Sequence, residues 1–274
     1  MAMPADEEDK AESEERTSPT GAVVYHAILK EGTSELERTT SALAWSGLAA
    51  GLSMGFSFIV PALLHAELPD AKWRPLLVAL GYPVGFLIVI LGRQQLFTEN
   101  TLTVILPLLR RHDGKTLRNV LRLWTTVLAA NTVGALLLAL VVARTEVVSH
   151  ETFESMRELA RKVQEHPFSV TLLRGIFAGW LVALTVWLLP FAETARVWVI
   201  AILTYVVGVA HFSHIIAGAI DAAFLVFVGE STWGAFLTRF FLPALLGNII
   251  GGVSLVAVLN HAQVVAGSGD GVDT

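Results

Sequence analysis

Six stretches of this chain are long and apolar enough to cross a lipid bilayer, and no other feature narrows its possible folds as far. A spanning helix needs about 20 predominantly apolar residues to cover a hydrocarbon core about 30 Å thick. Residues 41–64, 76–110, 120–143, 168–190, 197–228 and 236–260 meet that length. Two of the six are too long for one straight span and carry polar interruptions near their middles. The second contains Arg93-Gln94-Gln95-Leu96-Phe97-Thr98-Glu99-Asn100, and the fifth contains Gly208-Val209-Ala210-His211-Phe212-Ser213-His214. Backbone groups freed at a helix break cannot face lipid, so each interruption must be buried in protein or line a cavity.

Composition agrees with this. Of 274 residues, 54% are hydrophobic and only 16% charged, a balance too apolar for an ordinary soluble domain. The charges avoid the runs. Much of the net charge of -5 comes from Asp6, Glu7, Glu8, Asp9, Glu12, Glu14 and Glu15, so residues 1–20 read as a disordered acidic tail rather than a signal peptide. Residues 21–40 read as an amphipathic lead-in, 41–260 as the membrane domain and 261–274 as a second tail. There is no cysteine, which removes disulfide and thiolate chemistry, and no basic surface extended enough for nucleic acid.

The loop after the second run holds Arg110, Arg111, Lys115, Arg118 and Arg122 against one Asp113. The positive-inside rule makes that loop cytoplasmic, and both termini with it. Between the third and fourth runs, Phe153, Met156, Leu159, Ala160 and Val163 recur at helical spacing among balanced charges. That pattern predicts an amphipathic helix lying on the outer membrane surface.

The two halves also match each other. Gly47-Leu-Ala-Ala-Gly51 resembles Gly175-Ile-Phe-Ala-Gly179, and Asn131-Thr-Val-Gly134 resembles Asn248-Ile-Ile-Gly251. With three spans per copy, the second copy must sit upside down, which predicts an all-α membrane protein of six helices in an inverted three-plus-three repeat. Broken helices at matching places in such repeats point to a substrate site near the bilayer midplane. Arg93, Glu99, His211, His214 and Asp221 lie in or near the breaks, and an ionisable group at that depth marks a pathway by default.

Leu96-Phe97-Thr98, Phe212-Ser213-His214 and Leu246-Gly247-Asn248-Ile249-Ile250-Gly251-Gly252 together resemble the formate/nitrite transporters across nearly the whole membrane region. The resemblance implies an aquaporin-like protomer, a homopentamer with a pore in each protomer, no metal or organic cofactor, and a bacterial inner-membrane location. It implies transport of a small monovalent anion with a proton. The central histidine falls on His214 and the pore-lining threonine on Thr98, with Leu96, Phe97, Glu99, His211 and Phe212 along the same path. The chain departs from the family pattern at Ser213, where glutamate is usual, at Gly218 and Gly179, where asparagine is usual, and at Glu99 and Asn100, where small residues are common. These departures bear on substrate and direction, and leave the fold assignment unchanged.

Blander readings stand beside each of these. His214 can serve as a packing histidine, and His211, three residues earlier, mimics half of a metal pair with no third ligand evident. Arg93 and Glu99 can form a bracing ion pair, and Asp221 can pair with another helix or subunit rather than face the path. Lys162 reads as a solvated residue of the amphipathic helix, while Arg174 can either draw anions or snorkel to the interface. Phe86, Leu96, Phe97 and Phe212 are bulky enough to seal the pore. Among functions, a passive pore for neutral solutes lacks the twin Asn-Pro-Ala caps of aquaporins, and no nucleophile–base–orienter set supports an enzyme.

Overall fold

The structure is a computed structural model that describes residues 20–267. The acidic tail, Thr20 apart, lies outside the described residues, as do residues 268–274. Every regular element among the described residues is helical. The chain runs through α1 (Gly21–Glu37), α2 (Thr40–Ser53), α3 (Phe56–Glu67), α4 (Arg74–Val78), α5 (Pro83–Leu91), α6 (Asn100–Thr103), α7 (Ile105–Arg111) and α8 (Gly114–Arg144). It continues through α9 (His150–Arg161), α10 (Phe168–Leu188), α11 (Arg196–Val209), α12 (Ile215–Phe227), α13 (Trp233–Ala235), α14 (Leu242–Ile250) and α15 (Leu259–Gly267).

Five helical stretches are long and apolar enough to cross a membrane: Thr40–Glu67, Arg74–Leu91, Gly114–Arg144, Phe168–Phe191 and Trp233–Ala266. The first joins α2 to α3 through a bend at Met54-Gly55. The last contains π-helical turns at Phe236–Phe241 and Gly251–Val258 and runs past His261, so part of the expected C-terminal tail is helical. Tyr25 on α1 meets that extension, its hydroxyl lying 2.9 Å from His261 Nδ1. The fifth predicted run forms two short helices, α11 and α12, neither of which spans alone. Large apolar side chains such as Trp45, Leu173, Trp198 and Ile202 stay exposed on the apolar helices, as lipid-facing or subunit-facing surfaces require.

Two helix pairs form the frame. Helix α2 crosses α8, and α10 crosses α14, each at glycines that remove all side-chain bulk. A Cβ on Gly51 would overlap the Asn131 carbonyl, and one on Gly179 would overlap the Asn248 carbonyl. Gly179 therefore serves a backbone contact, which is why a side chain has no place there.

Helix α9 differs from the expectation of a surface-lying helix. Its apolar stripe is buried in protein, with Met156 and Ala160 fully covered and Phe153 edge-on to Phe224 at 5.4 Å. The stripe packs on α3 and α12, and Glu230, just beyond α12, pins its polar edge. Arg157 Nε donates to Glu230 Oε1 at 2.5 Å and Arg161 Nε to Oε2 at 2.7 Å. Those hydrogen bonds, the Arg161 bond first, hold the Glu230 carboxyl below the usual carboxylate range. A face already matched by two helices has no apolar surface left for lipid.

Candidate functional site

The two interrupted runs are broken, and both breaks have one backbone design. Between α5 and α6 the chain leaves the helix at Gly92 and resumes it near Glu99. Between α11 and α12 it leaves at Ala210 and resumes after His214. Arg93 and His211, at corresponding places, both take left-handed backbone conformations, with φ of 53° and 52°. The next residue closes the same turn in each: Gln94 N–H donates to Val89 O, and Phe212 N–H to Val207 O, both at 3.0 Å.

A buried asparagine holds each break. Asn131 on α8 donates through Nδ2 to Gly47 O at 2.7 Å and Gln95 O at 2.8 Å, and its Oδ1 accepts from Phe97 N–H at 2.9 Å. Asn248 on α14 donates to Gly175 O at 2.9 Å and Ser213 O at 2.8 Å, and accepts from Ile215 N–H at 2.8 Å. Each amide thus ties one N–H to a carbonyl of the crossing helix and uses its other N–H and its carbonyl on backbone that the break would otherwise leave unpaired. The two recurring Asn motifs read from the sequence are these hubs. Gly251, in the second motif, sits where a Cβ would strike the Ile176 carbonyl, so it serves the helix crossing.

The breaks meet at one hydrogen bond. His214 caps α12, its Nδ1 accepting from Ala217 N–H at 3.2 Å. A neutral ring that accepts at Nδ1 carries its hydrogen on Nε2, which therefore donates to Thr98 Oγ1 at 2.8 Å. The Thr98 hydroxyl hydrogen is left free to point elsewhere. Both residues are buried, and the Phe86 ring stands edge-on to the imidazole at 4.9 Å.

On either side of this bond lies a cavity. One, of about 390 Å³, is walled by α1, the first break and the α10–α11 connection, and includes Glu31, Glu35, Arg93, Gln95, Leu96 and Glu99. The other, of about 260 Å³, lies beneath α9 and includes His65, Tyr82, Lys162, Arg174, His211 and His214. They occupy opposite ends of α10, whose Arg174 lines the second and whose following Leu189 and Pro190 line the first. The seal between them is thin: Leu96 forms part of one wall, and Phe212 with His214 part of the other.

Leu96, Glu99, His211, Phe212 and His214 therefore all line a cavity, and Thr98 sits in the partition between the two. Phe97 lines neither; its ring packs edge-to-face on Trp124 at 5.6 Å. Arg93 pairs with Glu31 at 2.9 Å rather than with Glu99, because its left-handed backbone turns the side chain toward α1. Lys162 and Arg174 belong to the cavity beneath α9, since α9 folds inward and takes the following turn with it. Asp221 also lines that cavity, contrary to a role in helix pairing. A signal for it was present: Asp221 lies seven residues after His214, on the same face of α12. Among the described residues no three His, Asp or Glu side chains gather as metal ligands would, and His211 faces the cavity from a non-helical turn.

The chain is similar to known proteins over most of its length. The inner membrane protein YfdC of Escherichia coli is 37% identical over 93% of this chain and 83% of its own length. The formate channel BtFdhC of Bacillus thuringiensis is 26% identical over 85% of this chain and 91% of its own. A solved FNT family ion channel superimposes with a TM-score of 0.75 at 20% identity, covering 88% of this chain and 98% of that one. A solved pentameric formate channel with formate bound does so with a TM-score of 0.69 at 20% identity, covering 82% and 98%. The family model described as formate/nitrite transporter matches residues 22–262, and the chain belongs to that family.

Proposed function

We propose that this protein passes small monovalent anions such as formate across the bacterial inner membrane, together with a proton, through a path gated by Thr98 and His214. The observation that carries this reading is the buried Thr98–His214 hydrogen bond, set between two cavities that open toward opposite ends of α10. Relatives whose names record formate channels and inner-membrane residence support the substrate class and the location.

The architecture we assign is six spans in an inverted three-plus-three repeat, the fifth made of α11 and α12 together. The matched breaks and matched asparagine hubs support it. The basic loop from Arg110 to Arg122 orients the chain, with both termini and the cavity beside α1 in the cytoplasm and the cavity beneath α9 outside. Five such protomers assemble as in the solved pentameric relative, each with its own path.

The physics of the step is as follows. A bare anion entering a narrow dry passage loses hydration worth several kcal/mol, even after the protein relaxes around it. An anion that reaches this bond meets the free hydroxyl hydrogen of Thr98, whose oxygen is held by His214 Nε2–H. Taking up the proton of His214 Nε2 turns it into a neutral acid, which crosses the partition between Leu96 and Phe212 at far lower cost. The ring replaces that proton at Nδ1 from the water of the cavity beneath α9, as the bond from Ala217 N–H opens. Imidazole is suited to the exchange because its two nitrogens let the ring give a proton at one side and take one at the other.

The test is flux in proteoliposomes over a panel of anions and pH values. Formate uptake should rise as external pH falls, and His214→Ala should remove that dependence. Glu99→Gln serves as the control for the other ionisable group beside the partition. If His214→Ala keeps the profile and Glu99→Gln loses it, the proton site is Glu99 and the role given to His214 is wrong.

A further inference from the structure

A hydrogen that moves onto His214 Nδ1 needs a donor on the side of the cavity beneath α9. The Ala217 amide, which meets Nδ1 in the closed cap, keeps its own hydrogen. Helix α12 carries a single ionisable residue, Asp221, and presents it to the same cavity as His214 at its cap. Seven residues of helix put Asp221 about 10 Å from His214 along the axis. Between them stands Gly218, where a Cβ would fall into the Phe240 ring, so α12 offers no other polar side chain on this wall. The distance calls for water. A buried water needs roughly 10–15 Å³ of free space and two to four polar partners. The cavity, at about 260 Å³ and with Tyr82, His211 and Asp221 on its wall, has room for several.

Among the described residues Asp221 takes no hydrogen bond and no ion pair, and no cation acts on it. The ionisable groups around it can be followed element by element. From α3, His65 is engaged by Arg74 of α4 and by Glu158 of α9. Arg74 also reaches Asp70 and the His65 carbonyl. Tyr82, ahead of α5, shares its surroundings with Asp221 as an uncharged phenol. Lys162 and His166 after α9, Arg174 on α10 and His211 in the break supply the basic groups of the cavity. Among the described residues, α8, α14 and the π-helical turn at Phe236–Phe241 bring no charged side chain to this wall. Ionising a carboxyl with no cation beside it is costly in such a wall, so Asp221 holds a proton until a transfer removes it.

We infer that Asp221 is a relay residue that supplies, through cavity water, the proton that His214 takes up at Nδ1. The inference rests on the transport reading above and deepens it by naming where the proton comes from. The Asp221 O–H bond breaks toward the nearest water, and each water hands one of its own protons to the next. The last forms the Nδ1–H bond while Nε2 gives its hydrogen to the anion, so the ring stays neutral throughout. The carboxylate left at Asp221 regains a proton from the outer mouth of the cavity. One proton enters from outside for each anion that leaves as a neutral acid.

The experiment is formate uptake by proteoliposomes of wild type, Asp221→Asn, Asp221→Ser and Asp221→Glu between about pH 5 and pH 8, with and without imidazole as a soluble proton carrier. Asp221→Asn and Asp221→Ser should fall behind wild type on the order of a hundredfold at the alkaline end, the lower bound for loss of a positioned proton donor. The deficit should close toward the acid end, where bulk protons reach the ring unaided. Imidazole, small enough for the cavity, should restore flux in both variants and leave wild type unchanged. Asp221→Glu should keep the wild-type profile without it. A deficit equal at every pH, or one that imidazole does not relieve, would make Asp221 a structural residue and overturn the inference, as would unchanged flux. Two uncharged variants are used so that misfolding of one leaves the other to decide, and loss of the oligomer in both overturns the inference too. If wild type carries no formate at any pH, the transport reading itself fails, an outcome distinct from a transporting wild type whose variants keep its profile.

Discussion

The two helix breaks are the same backbone device carrying different chemistry. Arg93 and His211 share a left-handed conformation, Gln95 and Ser213 both give their carbonyls to a hub asparagine, and Phe97 and Ile215 both give it their N–H. Aligned on those hydrogen bonds, the residue between the accepting carbonyl and the donating N–H is Leu96 in the first break and His214 in the second. One is an apolar plug and the other a polar cap with a fixed tautomer. The lesson is about where each kind of constraint resides. The hub asparagines and the crossing glycines fix the path of the main chain, so the side chain at the centre of each break is free to differ.

The largest effects should come from the hubs. Asn131→Ala and Asn248→Ala each delete three hydrogen bonds, all buried but the half-buried one to Ser213, and strand backbone groups inside the protein. Each unsatisfied buried group costs about 1–3 kcal/mol, so either variant should lose roughly 3 kcal/mol or more, read as a large fall in the midpoint of thermal unfolding in detergent. The comparison breaks if one hub tolerates alanine, for then the two breaks are not held alike. Asn248→Ala should also disturb the His214 cap and thereby alter flux, whereas Asn131→Ala acts on Leu96.

Exchanging the central residues comes next. His214→Leu makes the second break chemically like the first, and should reduce formate flux at least about tenfold, a barrier change of about 1.4 kcal/mol. It also strands the Ala217 N–H and the Thr98 hydroxyl, both buried, so its stability should fall by roughly 2 kcal/mol and flux is compared at equal amounts of folded oligomer. If His214→Leu carries formate at the wild-type rate, the asymmetry between the breaks has no part in transport. Gly218→Ala probes the neighbouring wall. The added methyl meets the Phe240 ring, and overpacking of this kind costs about 1–3 kcal/mol. Combining it with Phe240→Leu should recover part of that loss.

Much of this design could be read from the residues. The lengths of the apolar runs, the two polar interruptions and the repeated Asn-containing strings located the breaks, because each rests on local sequence or on internal matching. What stayed hidden depends on how distant elements meet. Nothing local separates an amphipathic α9 on a membrane from one folded onto α3 and α12, since both bury the same stripe. That choice carried Lys162 with it. The partner of Arg93 likewise depends on α1, and its proximity to Glu99 in sequence gave the wrong pair. Phe97 lies beside Thr98 in the chain, yet alternate residues of a non-helical segment point different ways, and its ring went to Trp124. Asp221 was legible in principle, by counting two turns from His214.

The smallest expected effect concerns the clamp that keeps α9 folded inward. Glu230 binds Arg157 and Arg161, and its side chain is 18% exposed whereas that of Arg161 is 55% exposed. Solvent screens so open a network, and Glu230→Gln should cost about 1 kcal/mol at most. The pH dependence follows from the direction of the Glu230 shift. Its carboxyl is held below the ordinary value in the folded protein, so the folded state binds its proton less readily than the unfolded chain. The contribution is therefore complete above the unfolded value of about 4.3 and is lost as pH falls through the lower folded value. Wild type should lose this increment on acidification while Glu230→Gln, having no such proton to gain, should not. The measurement is the difference in unfolding midpoint between the two proteins at neutral and at acid pH. A difference that grows on acidification would mean that α9 is held by its apolar stripe alone and that Glu230 opposes its docking. A difference that shrinks toward zero ties the roof of the cavity beneath α9 to this carboxylate.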